Sequence, residues 1–375
     1  MAELTLIDVT SVPANRAGVG RYVDELVGAF DREVVIACQE HDADHYRALA
    51  PLARVLPQPG IRRVWRRLLW EQFTLPGVAR RAGATVIHSP HYTVPLFTRL
   101  ARVVTFHDAT FFSDPGVHTP LKRVFFRTWI RLSARLARAV IVPSSATARE
   151  LAKYTSTPES AYTVVYHGVD RRIFHPPTEA AVAEAALTLG LGGSPWIAFL
   201  GTIEPRKNLP ALLEAYSAAA SQWLPEWGPV PSLALAGSDG WGPDIAPHVA
   251  AVKAPGRVQR VGYIDLPLVH AYLGGALFVA YPSLGEGFGL PVLEAMSCGA
   301  AVLTTPRLAL PEVGGDAVEY SETDAPALTH GILALAADPA LRRRLGEAGV
   351  ERAELFTWQA CAAGHLSVYD RATRR

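Results

Sequence analysis

The residues with the most chemistry in them lie in one stretch, Tyr281-Pro282-Ser283-Leu284-Gly285-Glu286-Gly287-Phe288-Gly289-Leu290-Pro291, which continues through Glu294 to Gly299. A strand-like run precedes it and a helical pattern follows, with Pro291 where a first helical turn tolerates a missing N–H. Gly287, Phe288, Gly289 and Leu290 therefore predict a turn whose backbone amides face an anion at the positive end of a helix, and a diphosphate is the obvious ligand. Glu286 stands in the loop and Glu294 in the helix's first turn or so. Carboxylates accept hydrogen bonds well from vicinal diols, so one suits a sugar and the other a ribose, with the diphosphate between them. The bland alternative is a plain glycine-rich turn with helix-capping glutamates. A second stretch, Phe199-Leu200-Gly201-Thr202-Ile203-Glu204-Pro205-Arg206-Lys207-Asn208, sets two adjacent cations at a helix start. Cations there are unfavourable without an anion to join them. A diphosphate leaving group that gains charge in a transition state is such an anion, and a solvated pair of charges is the alternative.

Other polar groups sit at predicted strand ends. Thr105-Phe106-His107-Asp108 offers a pair that either meets substrate or acts locally, the histidine on nearby backbone and the aspartate as a helix cap. As a neutral imidazole, His107 could donate to a sugar hydroxyl or help position an acceptor, while Asp108 orients that ring or binds acceptor. His91, in His88-Ser89-Pro90-His91-Tyr92, lines an acceptor pocket or is structural. The first strand leads to Asn15-Arg16-Ala17-Gly18-Val19-Gly20. This loop lacks the third glycine of the dinucleotide fingerprint and is longer than its tight turn, so a nicotinamide enzyme is discounted although Glu40 mimics the ribose-binding acid.

Aliphatic runs alternate with helical patterns at Leu4–Val9, Val34–Ala37, Thr85–His88, Val103–Phe106, Val140–Pro143 and Tyr162–Tyr166. A second series follows at Trp196–Leu200, Ser232–Ala236, Val258–Val261, Leu277–Tyr281 and Ala301–Thr304. The rhythm predicts an α/β protein of two Rossmann-like, doubly wound parallel-sheet domains. Residues 1–177 form the N-terminal acceptor domain, 195–355 the C-terminal donor domain, and 356–375 a helix that packs back on the N-terminal domain, with the boundary near 178–194. Open parallel sheets bind ligands outside the carboxyl ends of their strands, so two facing domains define a cleft.

The 375 residues suffice for two cores, and no run approaches the roughly 20 apolar residues of a membrane span. The start, Met1-Ala2-Glu3-Leu4, reads as a first strand and not a secretion signal, which predicts a cytoplasmic location. Cys38, Cys298 and Cys361 lie far apart, without metal-ligand spacing. Asp42 and Asp44 have Asp-x-Asp spacing but lie in a polar loop away from the other motifs, so no metal and no cofactor is expected. Through Pro177 there are 23 Lys and Arg against 15 Asp and Glu; beyond it, 13 against 20. The basic half carries two aromatic-rich helical patterns, Arg62–Trp70 and Lys122–Arg131. Each is either a solvated helix face or a contact for an anionic membrane surface or lipid-phosphate acceptor. Without a continuous basic track, nucleic acid is not a partner.

Glu286 and Glu294, with seven residues between them, resemble the signature of family 4 retaining glycosyltransferases, whose fold is GT-B, and the resemblance covers essentially the whole chain. It implies that Glu286 contacts the sugar of a nucleotide-sugar donor and Glu294 its ribose, with Arg206 and Lys207 matching the family's pair on the diphosphate. By the same resemblance His107 contacts the donor sugar, Gly18 approaches donor phosphates or acceptor beside Gly20, and the Val261-Gly262-Tyr263 segment meets the nucleobase. Ser144 and Ser145 look like the family's helix-starting serines, although an N-cap explains them as well. Departure of the nucleoside diphosphate and acceptor attack on the same face are implied, with no protein nucleophile. Val103–Phe112 and Trp70-Glu71-Gln72 look more like members that use GDP-mannose than those that use UDP-sugars. A glycan, a lipid-linked oligosaccharide and a small natural product all stand as acceptors. A non-catalytic donor-binding scaffold, and a phosphorylase or epimerase of the same architecture, are the competing readings.

Overall fold

The computed structural model describes residues 4–13, 16, 18–113, 119–240, 242 and 244–374. Asn15 and Ala17 of the first glycine-containing loop lie outside the described residues. The chain divides into two compact units, Met1–Gly168 with Trp358–Arg375, and Val169–Thr357.

In the first unit the strands are β1 (Thr5–Asp8), β2 (Val35–Gln39), β3 (Arg54–Gln58), β4 (Val86–Ser89), β5 (Ala101–Thr105), β6 (Ala139–Val142) and β7 (Tyr162–Val164). The helices are α1 (Val19–Gly28), α2 (Ala43–Leu49), α3 (Val64–Phe73), α4 (Leu75–Arg81), α5 (Thr110–Ser113), α6 (Pro120–Leu136) and α7 (Ser145–Thr155). The sheet runs β3-β2-β1-β4-β5-β6-β7 and is parallel throughout. Helices on both faces bury the central strands, which is why Leu6, Ile7, Val86, Ile87, Val103 and Val104 read as aliphatic runs without alternation.

The second unit has α8 (Glu179–Thr188), β8 (Trp196–Leu200), α9 (Leu209–Ser221), β9 (Ser232–Ala236), α10 (Ala246–Ala250), β10 (Val258–Gly262), α11 (Leu266–Gly274) and β11 (Phe278–Tyr281). It continues with α12 (Leu290–Ser297), β12 (Val302–Thr304), α13 (Leu310–Gly314), β13 (Glu319–Tyr320), α14 (Ala325–Ala337) and α15 (Pro339–Ala353). Its parallel sheet runs β10-β9-β8-β11-β12-β13. In each sheet the order reverses beside the first strand, at β1/β4 and at β8/β11, and loops leaving those strand ends are where such folds place ligands.

The units part at Gly168, ahead of the predicted 178–194 stretch, because the intervening segment packs into the second unit. Val169 and Phe174 lie in that unit's core, Ser297 donates to the Phe174 carbonyl (2.6 Å), and Pro177 abuts Gly274. Phe356 also belongs there, its ring 5.8 Å from that of Phe288. The last helix, α16 (Trp358–Thr373), belongs to the first unit and buries Trp358, Cys361, His365, Leu366 and Tyr369. Cys38, Cys298 and Cys361 are buried free thiols. Among the described residues no helix is long and apolar enough to cross a membrane.

Candidate functional site

At the switch point of the second unit, the loop after β8 and the loop after β11 bring Arg206, Lys207 and Glu286 together. Glu286, 8% exposed, is an acceptor hub. Its Oε1 accepts from Lys207 Nζ (2.7 Å), the Tyr281 hydroxyl (2.8 Å) and Ser283 Oγ (2.8 Å), and its Oε2 accepts from Arg206. Arg206 also donates to Glu204 (2.6 Å) and to the Gly285 carbonyl (2.9 Å). Lys207 donates to Tyr281 as well and lies 4.9 Å from that ring's centroid. Two cations and two carboxylates thus form one network of zero formal charge. Burial by itself would raise the Glu286 pKa; the Arg206 and Lys207 charges and the hydrogen bonds from Lys207 and Ser283 outweigh it, and the carboxyl titrates well below the usual range. Burial draws Lys207 down from the usual lysine range and the Glu286 charge opposes it, leaving an ammonium–carboxylate pair.

Glycine geometry shapes both loops. Gly289 is the N-cap of α12 at φ 108°, ψ 45°, a region in which side chains are strained, and Pro291 is in the first turn. A Cβ on Gly237, the residue after β9, would sit 2.0 Å from the Gly201 carbonyl oxygen, so this glycine lets two strand-end loops close on each other. Glu294 is buried and is the fifth residue of α12, in its second turn and not its first. Phe288 is buried, Gly287 and Leu290 partly so, and Tyr263, just past β10, is 73% exposed.

In the first unit the predicted residues fall around the ends of β1, β4 and β5. His107 Nε2 lies 2.7 Å from the Pro90 carbonyl, which can only accept, so Nε2 carries the proton and Nδ1 the lone pair. Burial lowers its pKa against the pull of that carbonyl and of Asp108, keeping the ring neutral. In this tautomer the ring's one N–H is engaged by the Pro90 carbonyl, and Nδ1 is left with acceptor capacity. Asp108 Oδ1 accepts from Thr110 N (3.0 Å) and Oγ1 (2.8 Å), the local cap at α5. His91 packs edge-on to Tyr92 and Phe126, and burial, with His107 and the charge of Arg67 nearby, takes its pKa to about 3. Gly18 precedes α1 at φ 57° and is exposed. Gly20 is buried, and a Cβ there would lie 3.3 Å from side-chain atoms of Val12 and Arg16. Ser144 caps α7 through Thr147 N (3.1 Å).

Sequence reasoning missed several groups. Tyr281, Ser283 and Glu204, the partners of the cation pair, lay within the quoted stretches, two to five positions from Glu286 or Arg206, and proximity along the loop was the available signal. The buried chain under His107 had none. His365 Nδ1 faces its own helix's Cys361 carbonyl (2.8 Å) and so donates, leaving Nε2 to accept from the Tyr22 hydroxyl (2.8 Å). Thr105 Oγ1 then donates to Tyr22 (3.2 Å) and accepts from His88 Nε2 (2.9 Å), and His88 Nδ1 accepts from Tyr369 (2.7 Å). One direction of donation satisfies every member. The Tyr22 ring meets His107 edge-on at 4.8 Å. Glu71 and Gln72 are engaged internally: Glu71 accepts from Thr93 (2.8 Å) and Arg67 (3.2 Å), and Gln72 bridges Val94 and Leu96. Burial and the charge of Asp8 raise the Glu71 pKa to about 7, against Arg67 and Thr93. Asp42 pairs with Arg16 and Asp44 with Arg47.

Two Rossmann-like parallel sheets, with a cation–carboxylate cluster at the second switch point, define a two-domain α/β protein of the doubly wound class. Residues 16–172 match Glycosyltransferase Family 4 and residues 188–352 match Glycosyl transferases group 1. The chain belongs to this family of glycosyltransferases. It is 29% identical over 382 residues to O-antigen chain mannosyltransferase B of Escherichia coli, covering 94% of this chain and 95% of that one. Sucrose-phosphate synthase from Thermosynechococcus elongatus shares the fold with a TM-score of 0.75 at 23% identity, over 99% of both chains. HepE of Anabaena, in complex with UDP and glucose, does so with a TM-score of 0.77 at 16% identity, over 98% of this chain and all (100%) of that one. The fold is GT-B.

Proposed function

We propose that this glycosyltransferase is retaining and metal-independent, and that it moves a hexose, mannose from GDP-mannose ahead of a UDP-sugar, to a glycan, lipid-linked or natural-product acceptor in the cytoplasm. The observation that carries the reading is the convergence of Arg206 and Lys207 on Glu286 beside the amino end of α12. The mannosyltransferase relative supports the sugar.

A diphosphate arriving at α12 competes with Glu286 and Glu204 for the two cations. As Arg206 and Lys207 turn to the phosphates, Glu286 lone pairs become available to hydroxyls of the sugar, which couples donor binding to sugar grip. In the transition state the C1–O bond to the diphosphate breaks, and its electron pair goes to the leaving oxygen beside the cations and helix end. The acceptor hydroxyl attacks the face just vacated and its proton passes to the departing diphosphate. Two fixed cations supply the counter-charge that a divalent ion supplies elsewhere. Glu294 holds the ribose, the backbone at Gly201 and Gly287–Leu290 the diphosphate, and the Tyr263 segment the base. His107 Nδ1 accepts from a sugar hydroxyl, and Gly18 approaches donor phosphates or acceptor.

The test is release of nucleoside diphosphate from purified protein with GDP-, UDP-, dTDP- and ADP-sugars, each also screened for thermal stabilisation. Glu286→Ala and Lys207→Ala each lower turnover at least about tenfold with the fold intact. Near-normal turnover in both removes the assignment. Activity survives chelator; its loss overturns metal independence. NMR of the product shows the donor's anomeric configuration, and inversion refutes retention.

A further inference from the structure

The two basic, aromatic-rich helices have different fates. On α6, Arg127 donates to the Phe111 carbonyl (2.7 Å), Arg131 donates to that of Tyr154 (3.0 Å), and Phe126 stacks on Phe111 at 4.3 Å. The exposed apolar side chains of α6, Leu121 and Val124, lie in the first five residues of the helix. On α3 the face carrying Trp70, Glu71 and Gln72 is buried, whereas Trp65, Leu69 and Phe73, four apart and so aligned, are 54%, 51% and 69% exposed. Phe97, 66% exposed, stacks on Phe73 with ring centroids 5.9 Å apart. Beside it Arg80, Phe97, Thr98 and Arg99 line a depression of about 570 Å³.

Charge on this surface is one-sided. Between Asp44 and Asp108 the sequence holds ten arginines and one acid, Glu71, which is 1% exposed. Arg62, Arg63, Arg66, Arg80, Arg81 and Arg99 are exposed, and among the described residues none pairs with a carboxylate. Aromatic and leucine side chains in a row, rimmed by arginines and anchored from behind by Gln72 and Trp70, have the composition of a helix that lies in a bilayer interface.

We propose that α3 and the Phe97–Arg99 loop form a docking surface for an anionic phospholipid bilayer, with Trp65, Leu69, Phe73 and Phe97 entering the interfacial layer and the arginines meeting lipid phosphates. The Arg80–Arg99 depression takes one headgroup phosphate, with Phe97 against its acyl root. This surface is independent of the donor chemistry proposed above.

Vesicle flotation of the full chain tests it. The chain floats with phosphatidylcholine vesicles containing 30 mol % phosphatidylglycerol and stays behind with pure phosphatidylcholine, and binding falls as salt rises. Trp65→Ser with Phe73→Ser, and separately Arg62→Gln with Arg66→Gln, each weaken partitioning at least tenfold while nucleoside diphosphate release is unchanged. Brominated lipids quench wild-type fluorescence more than that of Trp65→Phe, a readout that needs no disruptive variant. Equal binding to neutral vesicles, no binding to anionic ones, equally tight binding to duplex DNA, or a dimer in solution that Phe73→Ser dissociates overturns the proposal.

Discussion

Glu286 and Lys207 make a pair whose two halves differ in what they leave behind. In Glu286→Gln, Lys207 stays buried with a neutral amide in place of its paired charge, the nearest carboxylate is Glu204 at 4.0 Å, and Arg206 adds repulsion. Breaking a buried pair in this way costs about 3–5 kcal/mol. In Lys207→Met, Glu286 keeps Arg206, Tyr281 and Ser283, so one charge-assisted hydrogen bond is lost, about 1.5–3 kcal/mol. For a unit of this size each kcal/mol moves the melting temperature by roughly 2–4 °C, so Glu286→Gln should melt ~6–20 °C lower. Lys207→Met should fall by less, and the double variant should recover part of the Glu286→Gln loss, with a coupling of at least about 1.5 kcal/mol. Calorimetry on the four proteins at pH 7 measures all three. A Glu286→Gln melt within ~2 °C of wild type, or Lys207→Met the more damaging, refutes the reasoning.

The carboxyl of Glu71 titrates at about 7 in the folded chain against a reference of 4.5, so the folded state holds its proton longer than the unfolded one. Its contribution is therefore full below pH 4.5 and declines by about 3 kcal/mol as pH rises through 7. Glu71→Gln should flatten that part of the stability curve, and parallel curves from pH 5 to 8 would exclude the assignment. Tyr22→Phe strips His365 Nε2 of its donor and Thr105 of its acceptor, which should cost about 1–3 kcal/mol in urea unfolding; an unchanged midpoint would show the buried chain to be energetically idle. Gly237→Ala drives a methyl into the Gly201 carbonyl at 2.0 Å and should lower stability by at least about 3 kcal/mol, whereas a wild-type melt would mean the loops can part freely.

Both sheets were legible because their central strands are buried on two faces and so carry unbroken aliphatic runs. β3 and β13 were not: β3 contains Arg54 and Pro57, and β13 has only two residues. Phe174-His175-Pro176-Pro177 has the composition of a linker, yet Phe174 is wholly buried in the second core. At the second switch point Arg206, Lys207 and Glu286 were readable from their strand-to-helix loops. Their saturation with one another was not, because it depends on how two loops 79 residues apart meet. His88 and Tyr369 are separated by 281 positions and Tyr22 and His365 by 343, and nothing local in either segment announces a partner at that range. The two basic helices read alike in composition, and only the packing distinguishes the arginines that bind carbonyls from those that face outward.

The placement of α16 has a bearing on how the molecule is born. Tyr22 and His88 leave the ribosome early, but the histidine and tyrosine that complete their hydrogen bonding, His365 and Tyr369, arrive only after all of Val169–Thr357 has been translated. Until then the nascent first unit carries buried-type polar groups facing water and an uncovered apolar patch. The second unit, continuous in sequence, has no such wait, so it is free to fold first although it is encoded second.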